Sequence, residues 1–184
     1  MKSNLLKVFL FVSLFCSACR KVTDTLPAET CARSYTIGFK ADGKIYTTSG
    51  NARDLLNDGA VSYNFPNYDS DHSLYISAKK SFGDNDFEIW LVIQYKDSVT
   101  GYQLKDDYKG TFFLGGNPDP NDPTSSNVYT TTNLNTGKVI ITCFDGKIMP
   151  YYPGTILAGT FEMDCVNKNG KVIHITDGRF DIGN

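Results

Sequence analysis

The 184-residue chain carries 18 basic and 20 acidic residues, a formal net charge of −2, with 41% hydrophobic and 13% aromatic residues. That mild acidity excludes the basic patch or stripe on which nucleic-acid binding depends, so no nucleic-acid partner is expected. The length suits one domain rather than two.

The first segment reads as an export address. Lys2 and Lys7 flank a charged start, residues 8–15 are almost wholly apolar, and the stretch closes as Cys16-Ser17-Ala18-Cys19. A positive start, an apolar run of about 7–15 residues and small residues before a cut describe a secretory signal, and the run is too short to span a bilayer. Cys19 after two small residues resembles the lipobox of bacterial lipoproteins, although Cys16 stands where that motif usually has Leu. The resemblance implies that residues 1–18 are a signal peptide, and that Cys19 becomes the first mature residue and carries lipid. Plain secretion after Ala18 is the alternative. A redox reading of the Cys16 and Cys19 spacing fails, because that motif belongs beside a βαβ unit. In such lipoproteins an Asp after the Cys resembles an inner-membrane retention signal. Arg20 in its place implies the outer membrane of a Gram-negative bacterium, with the periplasmic or surface face left open. No second apolar run is long enough to cross a membrane, so the lipid on Cys19 is the expected membrane contact. Several acyl chains acting together hold where one alone would hold only reversibly.

Removing residues 1–18 takes away two Lys and no acid, so 16 basic residues face 20 acidic ones over 166 residues, a net of −4. Residues 19–33 then read as the lipidated Cys and a flexible tether, and 34–184 as a single all-β domain. The tether assignment rests on Pro27 and the Thr, Asp and Glu around it, which offer no periodic apolar face. Residues 20–30 reach at most roughly 35–40 Å when extended.

Strand signals follow in chain order. Tyr35, Ile37 and Phe39 alternate with Thr36, Gly38 and Lys40, the period of two expected of a strand with one buried face. Leu74, Ile76 and Ala78 repeat it, as do Phe87, Ile89, Leu91, Ile93 and Tyr95. Trp90 and Val92 make the other face of that strand apolar too, which predicts a central strand covered on both sides. Residues 111–114, 127–132, 138–144, 155–165 and 171–176 complete the strands. No stretch has sustained helical spacing; residues 52–56 suit at most one turn.

Five turns have Gly after a turn-forming or small polar residue: Asp42-Gly43, Thr136-Gly137, Asp145-Gly146, Asn169-Gly170 and Asp177-Gly178, each followed by a basic residue. Asp-Gly and Asn-Gly suit type I′ hairpins, whose two central residues need positive φ. Short hairpins make antiparallel neighbours. Two longer connections remain: residues 115–127, with three Pro, and residues 50–73, whose Tyr63, Phe65 and Tyr68 are either lids over the core or a contact surface. Cys31, Cys143 and Cys165 stay after processing. Cys143 falls in phase with Val139 and Ile141, and Cys165 with Phe161 and Met163, so both are expected in the core. They are either small buried hydrophobes or, in an oxidising compartment, one bridge with Cys31 as the natural partner.

Gly159-Thr160-Phe161-Glu162, the Asn169-Gly170-Lys171 hairpin and Ile175-Thr176-Asp177-Gly178-Arg179-Phe180-Asp181 resemble the closing signature of an uncharacterised family of small all-β bacterial lipoproteins. Phe39-Lys40-Ala41-Asp42-Gly43-Lys44 and Gly110-Thr111-Phe112-Phe113-Leu114-Gly115 are similar to its other recurrent segments. The resemblance implies a fold and an address, with no catalytic residues to carry over. Arg179, read from the residues, either caps a sheet edge or pairs with Asp177 or Asp181; a binding role is the sharper alternative.

Catalytic signatures are sparse. There is no G-x-S-x-G elbow and no H-E-x-x-H, and the histidines are His72 and His174. His72 reads as solvated and His174 as a strand residue with a hydrogen-bonded ring. Asp84-Asn85-Asp86-Phe87-Glu88 and Asp69-Ser70-Asp71 lack the spacing and central Gly of an EF-hand. No metal and no cofactor are expected. Eleven Tyr, twelve Phe and one Trp exceed what the inner faces need; Tyr102, Tyr108, Tyr151 and Tyr152 lie in or beside connections, where the burial habits of Tyr favour rings that cover the barrel ends and hydrogen-bond through their hydroxyls, and contacts with a sugar, peptide or protein are the alternative.

The resulting expectation is a β-sandwich or flattened barrel of about nine antiparallel strands. Its function is expected to be that of a lipid-anchored, non-catalytic binding module for a glycan, peptide or envelope protein. A structural subunit of an envelope assembly and a hydrolase without a legible motif are the alternatives.

Overall fold

The computed structural model describes residues 25–50, 59–64, 73–81, 86–94, 100–105, 108–115, 127–145 and 156–183. Eleven strands account for most of them: β1 (Thr36–Ala41), β2 (Lys44–Ser49), β3 (Gly59–Asn64), β4 (Ser73–Lys80), β5 (Phe87–Gln94), β6 (Gly101–Leu104), β7 (Gly110–Leu114), β8 (Val128–Thr130), β9 (Gly137–Asp145), β10 (Ile156–Val166) and β11 (Val172–Gly183). Every pairing is antiparallel. The order β2-β1-β11-β10-β8-β7-β5-β4-β3 makes a nearly closed barrel of nine strands. The ring closes where Val61 of β3 donates its N–H to the Gly50 carbonyl beyond β2, at 2.9 Å. β10 divides its second edge: residues 156–163 pair with β9, and Val166 pairs with Thr130 of β8. β9 in turn carries β6, so these two strands branch from the ring.

The period of two decides the inside. Ile37 and Phe39 of β1, Leu74, Ile76 and Ala78 of β4, and Phe87, Ile89, Leu91 and Ile93 of β5 are all buried, as the alternation predicts. The expectation of a β5 covered on both sides is corrected. β5 is flanked by β4 and β7, yet Trp90 and Val92 on its outer face are only half-buried. An antiparallel barrel has one interior, and the second apolar face of β5 looks outward.

Turn signals divide by what the backbone needs at each. Asp42-Gly43 is the two-residue hairpin expected: Ala41 pairs with Lys44, and both central residues have positive φ, 47° and 82°. Gly43→Ala puts a Cβ into left-handed backbone at about 1–2 kcal/mol; urea unfolding should read that loss, and an unchanged midpoint would contradict the turn type. Asn169-Gly170 closes a longer hairpin in which Gly170 alone has positive φ and the Asn167 side chain accepts the N–H groups of Asn169 and Lys171. Thr136-Gly137 is not a turn; Gly137 opens β9, where its missing side chain lets the backbone of Met163 approach. Nor does Asp177-Gly178 turn the chain. β11 runs through it as a β-bulge, with Phe161 opposite Gly178 and Met163 opposite Ile175. A bulge and a tight turn both want positive φ, here 53° at Asp177, so the local residues cannot tell them apart.

The connection expected at residues 50–73 contains β3, and Tyr63 on that strand packs against the core. A second bulge corrects Cys143. Ala158 faces Cys143 while Gly159 faces Ile141, so one extra residue in β9 moves Cys143 out of the inward phase. It bonds Cys31 instead, across 112 residues of sequence, with Cα atoms 6.0 Å apart. Cys165 is the free, buried cysteine among the described residues, and burial pushes its thiol pKa up. The helical turn considered at residues 52–56 and the Asp145-Gly146 turn lie wholly or partly outside the described residues.

Candidate functional site

Rings fill the middle of the barrel. Phe39 meets Phe87 at 5.3 Å and Phe112 at 5.4 Å edge to face, stacks on Tyr46 at 5.5 Å and lies tilted to Phe161 at 5.9 Å between centroids. Edge-to-face contacts of this kind are favoured by the aromatic quadrupoles. Among the described residues, the clefts lie on the outer surface.

One flank, built by β1, β11, β10 and β9, is polar. Alternation sends Lys40, Asp177, Arg179, Thr160, Glu162 and Lys138 outward from neighbouring strands. Two shallow clefts of about 220 and 290 Å³ lie there, one rimmed by Glu29, Thr160 and Arg179, the other by Gln103, Asp164 and Thr176. The Lys138 to Glu162 ion pair, at 3.0 Å, lines both. Lys40 hydrogen-bonds Asp177 at 2.8 Å and holds its carboxyl below the usual range, with Arg179 adding to the field. The exposed His174 ring shares a 2.7 Å hydrogen bond with Asp164, which raises its pKa. Protonated His174 is thus favoured in the folded state, and whatever stability the pair adds is present at low pH and fades as pH rises through the raised value. Such exposed pairs contribute little. Asp177, Glu162 and Asp164 on this flank are thus each paired with a basic side chain.

Asp181 departs from the expectation of a surface pair with Arg179. It is only 1% exposed and accepts hydrogen bonds from Thr30 Oγ1, from the Ala32 and Arg33 N–H groups at 3.0 Å each, and from Ser34 Oγ at 2.7 Å. Burial raises its pKa, but the bonds from Thr30, Ala32 and Ser34 outweigh that and leave the carboxyl below its ordinary value. Arg179 donates instead to the Pro27 carbonyl at 3.2 Å. The stretch before β1, read from the sequence as tether, lies against the sheet from Pro27 onward. Asp181→Asn leaves one acceptor oxygen where two served and should cost about 1–3 kcal/mol at neutral pH. Because the folded carboxyl is the stronger acid, its contribution is complete above the unfolded value of about 3.9 and lost as pH falls through the folded value. Thermal melts of the two proteins should therefore converge below about pH 4; a gap independent of pH would refute the charged clamp.

The opposite flank is aromatic. Trp90 on β5 faces Ser77 of β4 and Thr111 of β7 in register, and Tyr75 faces Val92. Trp90 packs on Phe113 of β7 at 5.6 Å and donates its indole N–H to Glu88 at 2.7 Å. Tyr75 is 37% exposed. The stripe is apolar ring framed by hydroxyls: Ser62 and Ser77 are bonded at 2.9 Å on one side, and Thr111 lies 3.4 Å from Thr130 on the other.

Other residues singled out in the sequence are scattered. Tyr102 belongs to the core and Tyr108 is half-buried beside Lys105. Asp86 keeps Oδ1 buried without a hydrogen-bond partner among the described residues, where no three His, Cys, Asp or Glu cluster as metal ligands. Cys19, Phe65, Tyr68, residues 69–72 with His72, Asp84, Asn85, Tyr151 and Tyr152 lie outside the described residues. Asp181 and Tyr75 were not singled out as binding groups. Nothing local marks Asp181, since its partners are about 150 positions away, whereas Tyr75 was readable as the large outward residue of an alternating strand. No family model, no curated protein and no solved structure matches this chain.

Proposed function

We propose that this chain is an exported lipoprotein, lipidated on Cys19 and held at the outer membrane, whose barrel is a non-catalytic binding module of the small all-β lipoprotein family it resembles. The observation that carries the binding reading is the outward pair of Tyr75 and Trp90, with Trp90 backed by the buried Phe113 and both bordered by Ser and Thr hydroxyls. Apolar ring faces beside hydroxyls complement the C–H faces and hydroxyls of a sugar, so a glycan is the favoured ligand over a peptide or an envelope protein. Export is supported by the Cys31 to Cys143 bridge, which belongs in an oxidising compartment.

Trp90 is the sole Trp, so its fluorescence reports on the stripe directly. Titration of the mature protein with envelope glycan fragments should shift that emission saturably, and Tyr75→Ala should weaken the response. Silence toward every glycan, together with a saturable shift on an extended peptide, would overturn the glycan reading. Mass spectrometry of the N-terminal peptide tests the anchor: acyl chains on Cys19 are expected, and a bare Cys19 at the mature terminus would refute it.

A further inference from the structure

We infer that residues 27–34 form a docked strap that turns the polar flank of β1, β11, β10 and β9 toward the anchoring bilayer and presents the Tyr75 and Trp90 flank outward. The inference rests on the lipid anchor proposed above.

The docking is built at several independent points. Asp181 gathers four donors from residues 30–34, and Arg179 holds the Pro27 carbonyl. Cys31 is tied covalently to β9. The sheet is also lowered beneath the strap: a Cβ on Gly38 would come within 2.9 Å of Pro27 Cγ, and one on Gly183 within 2.5 Å of Arg33 Cγ. Any side chain at either position would push the strap away.

The contacts give the strap a direction. Residues 30–34 sit at Asp181, near the end of β11, while Pro27 sits at Arg179 and at Gly38, inside β1. The chain therefore folds back from the start of β1 along the outside of the sheet and leaves the barrel from its side. Between Cys19 and Pro27 there are eight residue steps, at most about 26–29 Å of chain. An undocked strap would allow sixteen steps to Tyr35, about 53–58 Å. The short leash starts on the flank that carries both clefts, so that flank meets the lipid surface. In the nine-strand order, β11 is third and β5 seventh, which places Trp90 on the far side of the ring.

Lysine footprinting on vesicles tests this with the lipidated mature protein and a membrane-impermeant acylating reagent. Compared with the same chain lacking lipid, Lys40 and Lys138 should react several-fold more slowly, while Lys79 on β4 keeps its rate. Equal rates at all three, or slowing confined to Lys79, would overturn the orientation. A long Gly/Ser insertion between residues 24 and 25 leaves the strap intact and should restore fast labelling of Lys40 and Lys138; persistent slowing would overturn the leash argument. Joining Asp181→Asn to Cys31→Ser and Cys143→Ser should do the same by freeing the strap. If Cys19 proves bare, the anchor reading fails by itself. A lipopeptide ligated at residue 20 then still tests whether the strap orients the domain.

Discussion

The double variant Cys31→Ser, Cys143→Ser is expected to melt roughly 4–20 °C below the parent. The bridge closes a loop with a sequence separation of 112 residues, and the chain-entropy account assigns about 4.7 kcal/mol to closing a loop of about 100 residues. Native bridges deliver about 2–5 kcal/mol in practice, and each kcal/mol moves the midpoint of a domain this size by about 2–4 °C. The effect is global because the bridge joins the strap before β1 to β9, across β11 and β10. Dithiothreitol should lower the parent by a similar amount and leave the variant unmoved. A parent indifferent to reductant, with the thiols shown to be reduced, would mean that the crosslink adds no stability.

Phe39→Ala should cost about 3–5 kcal/mol. Phe39 has no exposed surface and touches rings from β2, β5, β7 and β10, so its removal opens a hole that four strands would have to move together to fill. Tyr75→Ala, on the outward stripe, should stay within about 0.5 kcal/mol. Urea unfolding of the two variants thus separates the interior from the recognition surface. Comparable losses would contradict the assignment of inside and outside.

Where the sequence was legible, one physical signal dominated. β1, β4 and β5 alternate because a barrel strand has one wet and one dry face, and Asp42-Gly43 is readable because only Gly and a short polar residue accept two successive positive φ values. β3 escaped because Gly59–Asn64 contributes one fully buried aliphatic side chain, Val61, too little to show a period. The stripe was half-legible. Trp90 and Val92 stood out as apolar on the wrong face, but a buried second face and an exposed recognition face look the same in a string of residues.

Eight of the eleven strands, their antiparallel pairing and the mild acidity are readable from residue types alone, since a strand or a hairpin is signalled by neighbours a few positions apart; β2, β3 and β6 are not. Tertiary structure decided the bulge that turns Cys143 outward, the bridge to Cys31, the clamp on Asp181 and the direction of the strap. The bridge, the clamp and the strap join groups more than 100 positions apart, the bulge is set by the pairing of β9 with β10, and all depend on strand order and register. Local composition carries no record of either, because a one-residue slip exchanges the two faces of a strand without changing its sequence.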